Sequence, residues 1–389
     1  MSSKNCIYCR EEKDHSEFSL EHIIPQFLGG SLVSDEFKTR DVCKKCNNDL
    51  GLFVDAGFEK SWHVSNALSV MSMPFFNASS TVGLPLICMG KIDFSLPNIA
   101  EGYICESWLG SQGEQVYWVR PDDKRLYWFS GGNPRTAKTV RSTAYFFFSE
   151  RSVKDPFRTW LSFRDAFNGY KITKIMGGQV DGGDIRDIGF SVPNEKDIQN
   201  LDYIRSYIFK NKSHHIQISH YLSFDFRFMA KLSIGISYCL FGERIFNSPY
   251  GKNLLEALWH REPNELPEIY GSSFLSEKKD ERFTRLMGNP YATTICILPM
   301  GDGISINLNI AAAYNWSILA ASNIEITPEE SKKIGNGIVL ILYKQLKQVY
   351  QFSMAEFIAH QIGNVPIKEL TLISEVAERN LNTAKNKNS

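Results

Sequence analysis

Hydrophobic and polar positions change their rhythm along the chain, and the changes predict where its elements lie. In the first 75 residues, 17–21 and 37–42 read as short strands. Residues 44–55 have helical spacing, with Leu50, Phe53 and Val54 on one side. A second helix is expected over 58–72, so the order is strand, loop, strand, helix. From about 80 to 220 the texture is β-rich. Two aromatic runs, QVYWV and RLYWFS, flank the polar turn RPDDK and predict a hairpin. TAYFFFSE and KITKIMGG predict further strands, and the Gly-rich stretch GGQVDGGD predicts a turn. Beyond 220, FDFRFMAKLSIGISYCLF (224–241) predicts a buried amphipathic helix, and 251–260 another. TTICILPMG and ISINLNIAA predict strands within 291–310, while 336–350 and 367–380 predict helices. LNTAKNKNS reads as a fraying polar tail. The expected fold class is α+β. A module over 1–75 meets a joint near 75–85, and a larger accessory region follows over 80–389, β-rich to 220 and mixed over 221–389.

Composition narrows the class. At 43% hydrophobic and 22% charged, the 389 residues are those of a globular protein whose core needs no disulfides. The chain has no apolar run of 18 residues, and MSSKNCIYCR has no apolar leader core, so a cytoplasmic protein without a membrane segment is expected. Lys plus Arg equals Asp plus Glu at 43 each. That balance argues against a passive cationic nucleic-acid binder, but leaves room for an enzyme that meets phosphates with a local patch and a metal. Positive charge near the start gathers in Lys38, Arg40, Lys44 and Lys45, which suit either a solvated face or phosphate contact.

The eight cysteines are unevenly spread. Cys6/Cys9 and Cys43/Cys46 form two C-x-x-C knuckles, whose four thiolates can close tetrahedrally around one structural zinc. Cys88, Cys105, Cys239 and Cys296 stand among apolar neighbours and read as buried core thiols. Between the knuckles lies SLEHIIPQFLGG, where Glu21-His22 ends a strand and Pro25 and Gly29-Gly30 shape a loop. Asn47 follows directly on the fourth cysteine.

EHIIPQFLGG together with VCKKCNNDLG resembles the HNH, or His-Me finger, endonuclease family, in particular the zinc-bound form found in the phage endonuclease VII. The resemblance covers residues 6–60 and implies a ββα-metal fold and phosphodiester hydrolysis. It implies His22 as general base, with Glu21 and Asn47 holding one catalytic divalent ion, Mg²⁺ or Mn²⁺. The residue types suit that chemistry: a neutral imidazole can take a proton from water near pH 7, and a hard ion prefers oxygen donors. The sequence departs from the family in lacking its middle Asn over 37–41, in carrying Glu where Asp is more frequent, and in having Gly51 where some relatives have a second His. The resemblance implies DNA as substrate, with RNA also open, and a place among the partner proteins of a bacterial anti-phage defence system. One such site cuts one strand per engagement, so cutting both requires a homodimer or two visits. Two other readings stand beside this one. The knuckles can serve as a non-catalytic zinc-binding module for nucleic-acid or protein contact. Alternatively the nuclease is latent, with the C-terminal region as sensor or inhibitor.

Other features read more simply. His15 and His63 hold no family position, and Asp55 is a weaker candidate for a supporting role. Tyr117-Trp118, Tyr127-Trp128 and Phe146–Phe148 suit a core better than base stacking. His214-His215 with His220 has no matched acid or cysteine to make a metal site. GGQVDGGDI lacks the phosphate-loop lysine.

Overall fold

The first knuckle is the turn of a small hairpin: Ser3–Asn5 pairs antiparallel with Glu12–Asp14, and Cys6 and Cys9 lie in the tight turn between them. A second antiparallel pair follows, Phe18–His22 with Lys38–Cys43, and the chain runs from Cys43 straight into the helix Lys44–Leu50. This is the expected strand, loop, strand, helix order. The computed structural model describes residues 3–76, 81–122, 129–133, 136–178, 184–211, 215–261, 268–276, 280–301 and 303–386. The mixed helices and sheets make the chain α+β, and no helix among the described residues is long and apolar enough to cross a membrane.

Two compact units divide the chain: Met1–Glu59 with Tyr221–Arg379, and Lys60–His220 with Asn380–Ser389. The N-terminal strands and knuckles are therefore cored by residues more than 160 positions away in sequence. In that unit a six-stranded antiparallel sheet has the order Gly271–Ser272, Tyr314–Ala321, Gly303–Ile310, Thr293–Met300, Ile338–Tyr343 and Gln348–Ser353. The 20-residue helix Leu222–Phe241 packs on Tyr314–Ala321 and on the helix Pro249–Trp259, and is buried on nearly every side. Its Phe228 ring stacks on Phe58 at 3.9 Å and meets Phe27 of the N-terminal loop at 5.8 Å. At Gly235 the helix comes so close that an added Cβ would lie 2.6 Å from Ile23 Cγ2 and 3.2 Å from the Tyr8 hydroxyl. Glycine there is a packing requirement of the loop that follows Glu21-His22.

The other unit holds a second six-stranded sheet, ordered Ile216–Gln217, Ile87–Ile92, Tyr103–Leu109, Gln115–Pro121, Ser142–Phe147 and Ile172–Met176. Neighbours are antiparallel except the last pair. Trp118 and Phe146 point into one core and Tyr117 and Tyr145 into another, so these aromatic strands are core, as expected. Cys88, Cys105 and Cys296 are buried, and Cys239 is half-buried.

Several expectations need correction. Residues 336–350 form two paired strands, Ile338–Tyr343 and Gln348–Ser353, where helical spacing was expected. All six residues of IVLILY are buried, and a strand buried on both faces loses the alternation that distinguishes it from a buried helix. The helix expected over 58–72 begins later, at Trp62, because Ser61 is extended and breaks the run. Gln115–Pro121 pairs with Tyr103–Leu109 and Ser142–Phe147; most of its expected hairpin partner, with Tyr127 and Trp128, lies outside the described residues, as do much of GGQVDGGD and His214.

A fragment spanning residues 1–75, supplied with zinc, is expected not to hold a stable fold, because Ile23, Phe27 and Phe58 lose the cover of Phe228 and its helix. Its amide NMR spectrum should show collapsed dispersion. A well-dispersed spectrum would mean that the module carries its own core.

Candidate active site and metal centre

The four cysteines of the two knuckles converge. One ligand atom from each of Cys6, Cys9, Cys43 and Cys46 lies within 4.8 Å of all the others, and Cys6, Cys43 and Cys46 are buried. Backbone amides aim at the sulfurs: Cys43 N–H donates to Cys6 Sγ at 3.3 Å, and Cys46 N–H to Cys43 Sγ at 3.4 Å. The donor set tests well against a tetrahedral soft cation. The thiol of Cys46, aided by the Cys43 amide, holds Cys6 down to about 4, whereas burial pushes Cys9 up to about 11. Cys46 is driven up as well, first by its bond to Cys6. Such a cluster ionises one thiol at the expense of its neighbours, and a zinc ion is what lets thiolates coexist at this spacing.

The second knuckle sets the position of Asn47. Its Nδ2 donates to Ser19 Oγ at 3.1 Å and to the Leu20 carbonyl at 3.0 Å, tying the first turn of the helix to the strand that ends in Glu21-His22. That strand is irregular between Ser19 and Glu21, so the pairing resumes at Glu21–Thr39 and His22–Lys38. The loop behind it turns at Gly29, where φ is +102°. At Gly30 a Cβ would fall 1.6 Å from the Ile24 carbonyl oxygen, so the double glycine is a steric condition of the turn.

The two members of the Glu-His pair sit in different environments. His22 is half-buried; burial, and then the Lys38 ammonium, hold its imidazole below the ordinary range. It is therefore neutral near pH 7. Glu21 is only 4% exposed, and burial pushes its carboxyl up despite the attraction of Lys231. Lys231 Nζ lies 3.0 Å from Glu21 Oε1 and 2.6 Å from Asp55 Oδ2, with its side chain 3% exposed. Burial opposes the ammonium, but the charges of Asp55 and Glu21 hold it above its ordinary range. Asp55 ends a π-helical turn, Gly51–Asp55, between the helices Lys44–Leu50 and Ala56–Glu59. That wider turn re-phases the residues after it and delivers Asp55 inward. Asp55 Oδ1 and the Tyr8 hydroxyl are both buried without a hydrogen-bond partner. Burial, then the charges of Glu21 and Asp55, push the Tyr8 phenol up, so it lies in their field.

Lys231 is the residue that spacing arguments miss, and Asp55 is more closely engaged than a supporting candidate two turns past Asn47. The available signal was a lone lysine in the otherwise apolar run FMAKLSIGI, since a buried charge requires a partner. As for a hard divalent ion, Glu21 and Asn47 would hold one through carboxylate and amide oxygens, donors that suit it in kind. The Lys231 ammonium is the cation that Glu21 already meets.

The remaining predicted residues are dispersed. Lys38 pairs with Asp35 at 2.7 Å, while Arg40, Lys44 and Lys45 are exposed. Lys45 joins Lys13, Arg261, Trp259 and the knuckles around a shallow cavity of about 250 Å³. His15 is exposed, and His63 lies in the other unit with its ring 5.4 Å from that of His220. Among the described residues, only the four knuckle cysteines gather three or more His, Cys, Asp or Glu ligand groups closely enough for a metal.

Comparison with known proteins agrees with this geometry over one segment. A family model described as HNH endonuclease matches residues 6–63. No curated protein and no solved structure matches the chain. The family implies a nucleic-acid substrate and a divalent metal. With its two strands, following helix and four-cysteine staple, the segment 6–63 is similar to the HNH endonuclease family.

Proposed function

We propose that the protein is a divalent-metal-dependent endonuclease that hydrolyses phosphodiester bonds of DNA, with His22 as general base. The observation that carries this reading is His22 at the end of the strand whose Ser19 hydroxyl and Leu20 carbonyl take the amide of Asn47, within the segment that the HNH endonuclease family model matches. His22 Nδ1 or Nε2 accepts the proton of an attacking water, and partial burial keeps the ring ready for that transfer at neutral pH. Glu21 and Asn47 would hold a magnesium- or manganese-type ion, whose charge offsets that building on the phosphate and the leaving oxygen. The cysteine cluster holds a structural zinc and with it the register of Asn47 on the strand. The resemblance to small HNH modules joined to long accessory regions supports a place in anti-phage defence. On that reading the accessory residues 80–389 serve target choice, partner contact or regulation.

A second reading keeps the zinc module and removes the catalysis. The pairing of Glu21 with Lys231 favours it, because a carboxylate neutralised inside the protein is less available to an ion.

Purified protein with Mg²⁺ or Mn²⁺ is expected to nick or cut plasmid DNA, and His22→Ala to lower the rate by about 10²–10⁴-fold with zinc still at one per chain. Equal cutting by the variant would remove His22 from its role. No cutting of DNA or RNA by the wild type, with either ion, would favour the non-catalytic module.

Cys46→Ser should bring the zinc content well below one per chain and cost more than about 4 kcal/mol of stability, the scale of losing a metal on which a fold depends. Atomic absorption and thermal melting read both effects. A variant that melts like the wild type would mean that the knuckles close without zinc.

A further inference from the structure

Lys231 is an expensive residue to place where it is. The helix Leu222–Phe241 is apolar around it, with Ala230, Leu232 and Ile234 buried beside it. A methionine would fill the same space, and well-packed apolar residues often match or exceed a buried ion pair in stability. Two carboxylates, on the strand Phe18–His22 and on the turn Gly51–Asp55, converge on this one ammonium. Two acidic side chains thus share a single ammonium. Two polar atoms in the cluster, Asp55 Oδ1 and the hydroxyl of the 1%-exposed Tyr8, have no hydrogen-bond partner. The polar groups thus exceed what a single ammonium satisfies.

We propose that Lys231 is a resident counter-cation that holds Glu21 in place and sets how tightly the site takes a divalent ion. The inference rests on the nuclease reading for Glu21 as an ion ligand. An ion bound to Glu21 Oε2 lies within a few ångströms of the ammonium on Oε1, where like charges repel strongly in a desolvated setting. Lys231 therefore weakens ion binding while it orients the carboxylate and holds Asp55 beside it. It is a positioning residue, supplied by the helix that covers the N-terminal loop.

The test uses the full-length, zinc-loaded protein and the free Mn²⁺ signal in electron paramagnetic resonance. Zinc content is checked in each sample. Lys231→Gln and Lys231→Met are expected to bind Mn²⁺ at least tenfold more tightly than the wild type, and Lys231→Arg, which restores the charge, to stay within about threefold of it. Melting curves with and without Mn²⁺ provide the second measurement. If the Gln and Met variants fold only when Mn²⁺ is added, the ion has replaced the ammonium and the inference stands; if they stay unfolded at every Mn²⁺ concentration, it falls. Equal affinity in folded wild type and Lys231→Gln would also overturn it, while leaving the nuclease reading intact. Uptake by Lys231→Gln but none by the wild type would support it and overturn the nuclease reading. No uptake by either folded protein would overturn both.

Discussion

Four sulfur atoms packed within 4.8 Å of one another set the geometry on which the N-terminal site depends. They fasten the hairpin turn at Cys6 and Cys9 to the strand–helix junction at Cys43 and Cys46. A segment this short has too little apolar surface to fix both places by packing alone, and a metal on four thiolates supplies binding energy that becomes folding energy. The consequence reaches beyond the cysteines. Asn47 is the next residue after Cys46, and its amide bonds to Ser19 and Leu20 fix the helix against the strand carrying Glu21 and His22. Zinc chemistry in one place thus becomes side-chain position in another.

Packing supplies what the staple lacks. Ile23 and Phe27, just beyond Glu21-His22, are buried against a helix that begins only at Leu222. The Tyr8 hydroxyl has no hydrogen-bond partner, but the Tyr8 carbonyl accepts a bond from Trp259 Nε1 at 3.0 Å, and Asp41 takes the Tyr238 hydroxyl at 2.9 Å. Lys4 and Arg10 add ion pairs to Asp41 and Glu243. These surface pairs contribute little individually; the buried rings and the Gly235 contact hold the module to its unit. Part of residues 221–379 is therefore the floor of the N-terminal module.

Much of the N-terminal site was legible because its information is local. Paired cysteines, the Glu-His step and Asn47 all lie within 46 residues of one another, and each has a spacing that implies a geometry. The two strands followed within a residue, and the helix begins at Lys44 as expected, but its regular part ends at Leu50 and a π-helical turn covers Gly51–Asp55. Lys231 was not legible in that way, since 209 positions separate it from His22 and no periodicity links them. The division of the chain was hidden for the same reason: contacts between distant segments leave no mark on local pattern. IVLILY shows the complementary failure. Buried on both faces, it carried hydrophobicity without period, and helix and strand were equally consistent with it.

The two carboxylates on Lys231 bear on how the chain's parts are coupled. A glutamate at a strand end, left to solvent, would present its charge unaltered to any cation. Here its environment is set by an ammonium on a helix that also packs on the strand Tyr314–Ala321, the helix Pro249–Trp259 and the loop after His22. A shift of that helix by an ångström changes the Nζ–Oε1 separation and with it a buried electrostatic interaction, which at this distance is steep. The same shift moves Phe228 against Phe27 and Phe58, so the shape of the loop and the charge on Glu21 change together. The charge environment of Glu21 and the packing of the loop therefore rest on the same covering helix, which carries both Lys231 and Phe228.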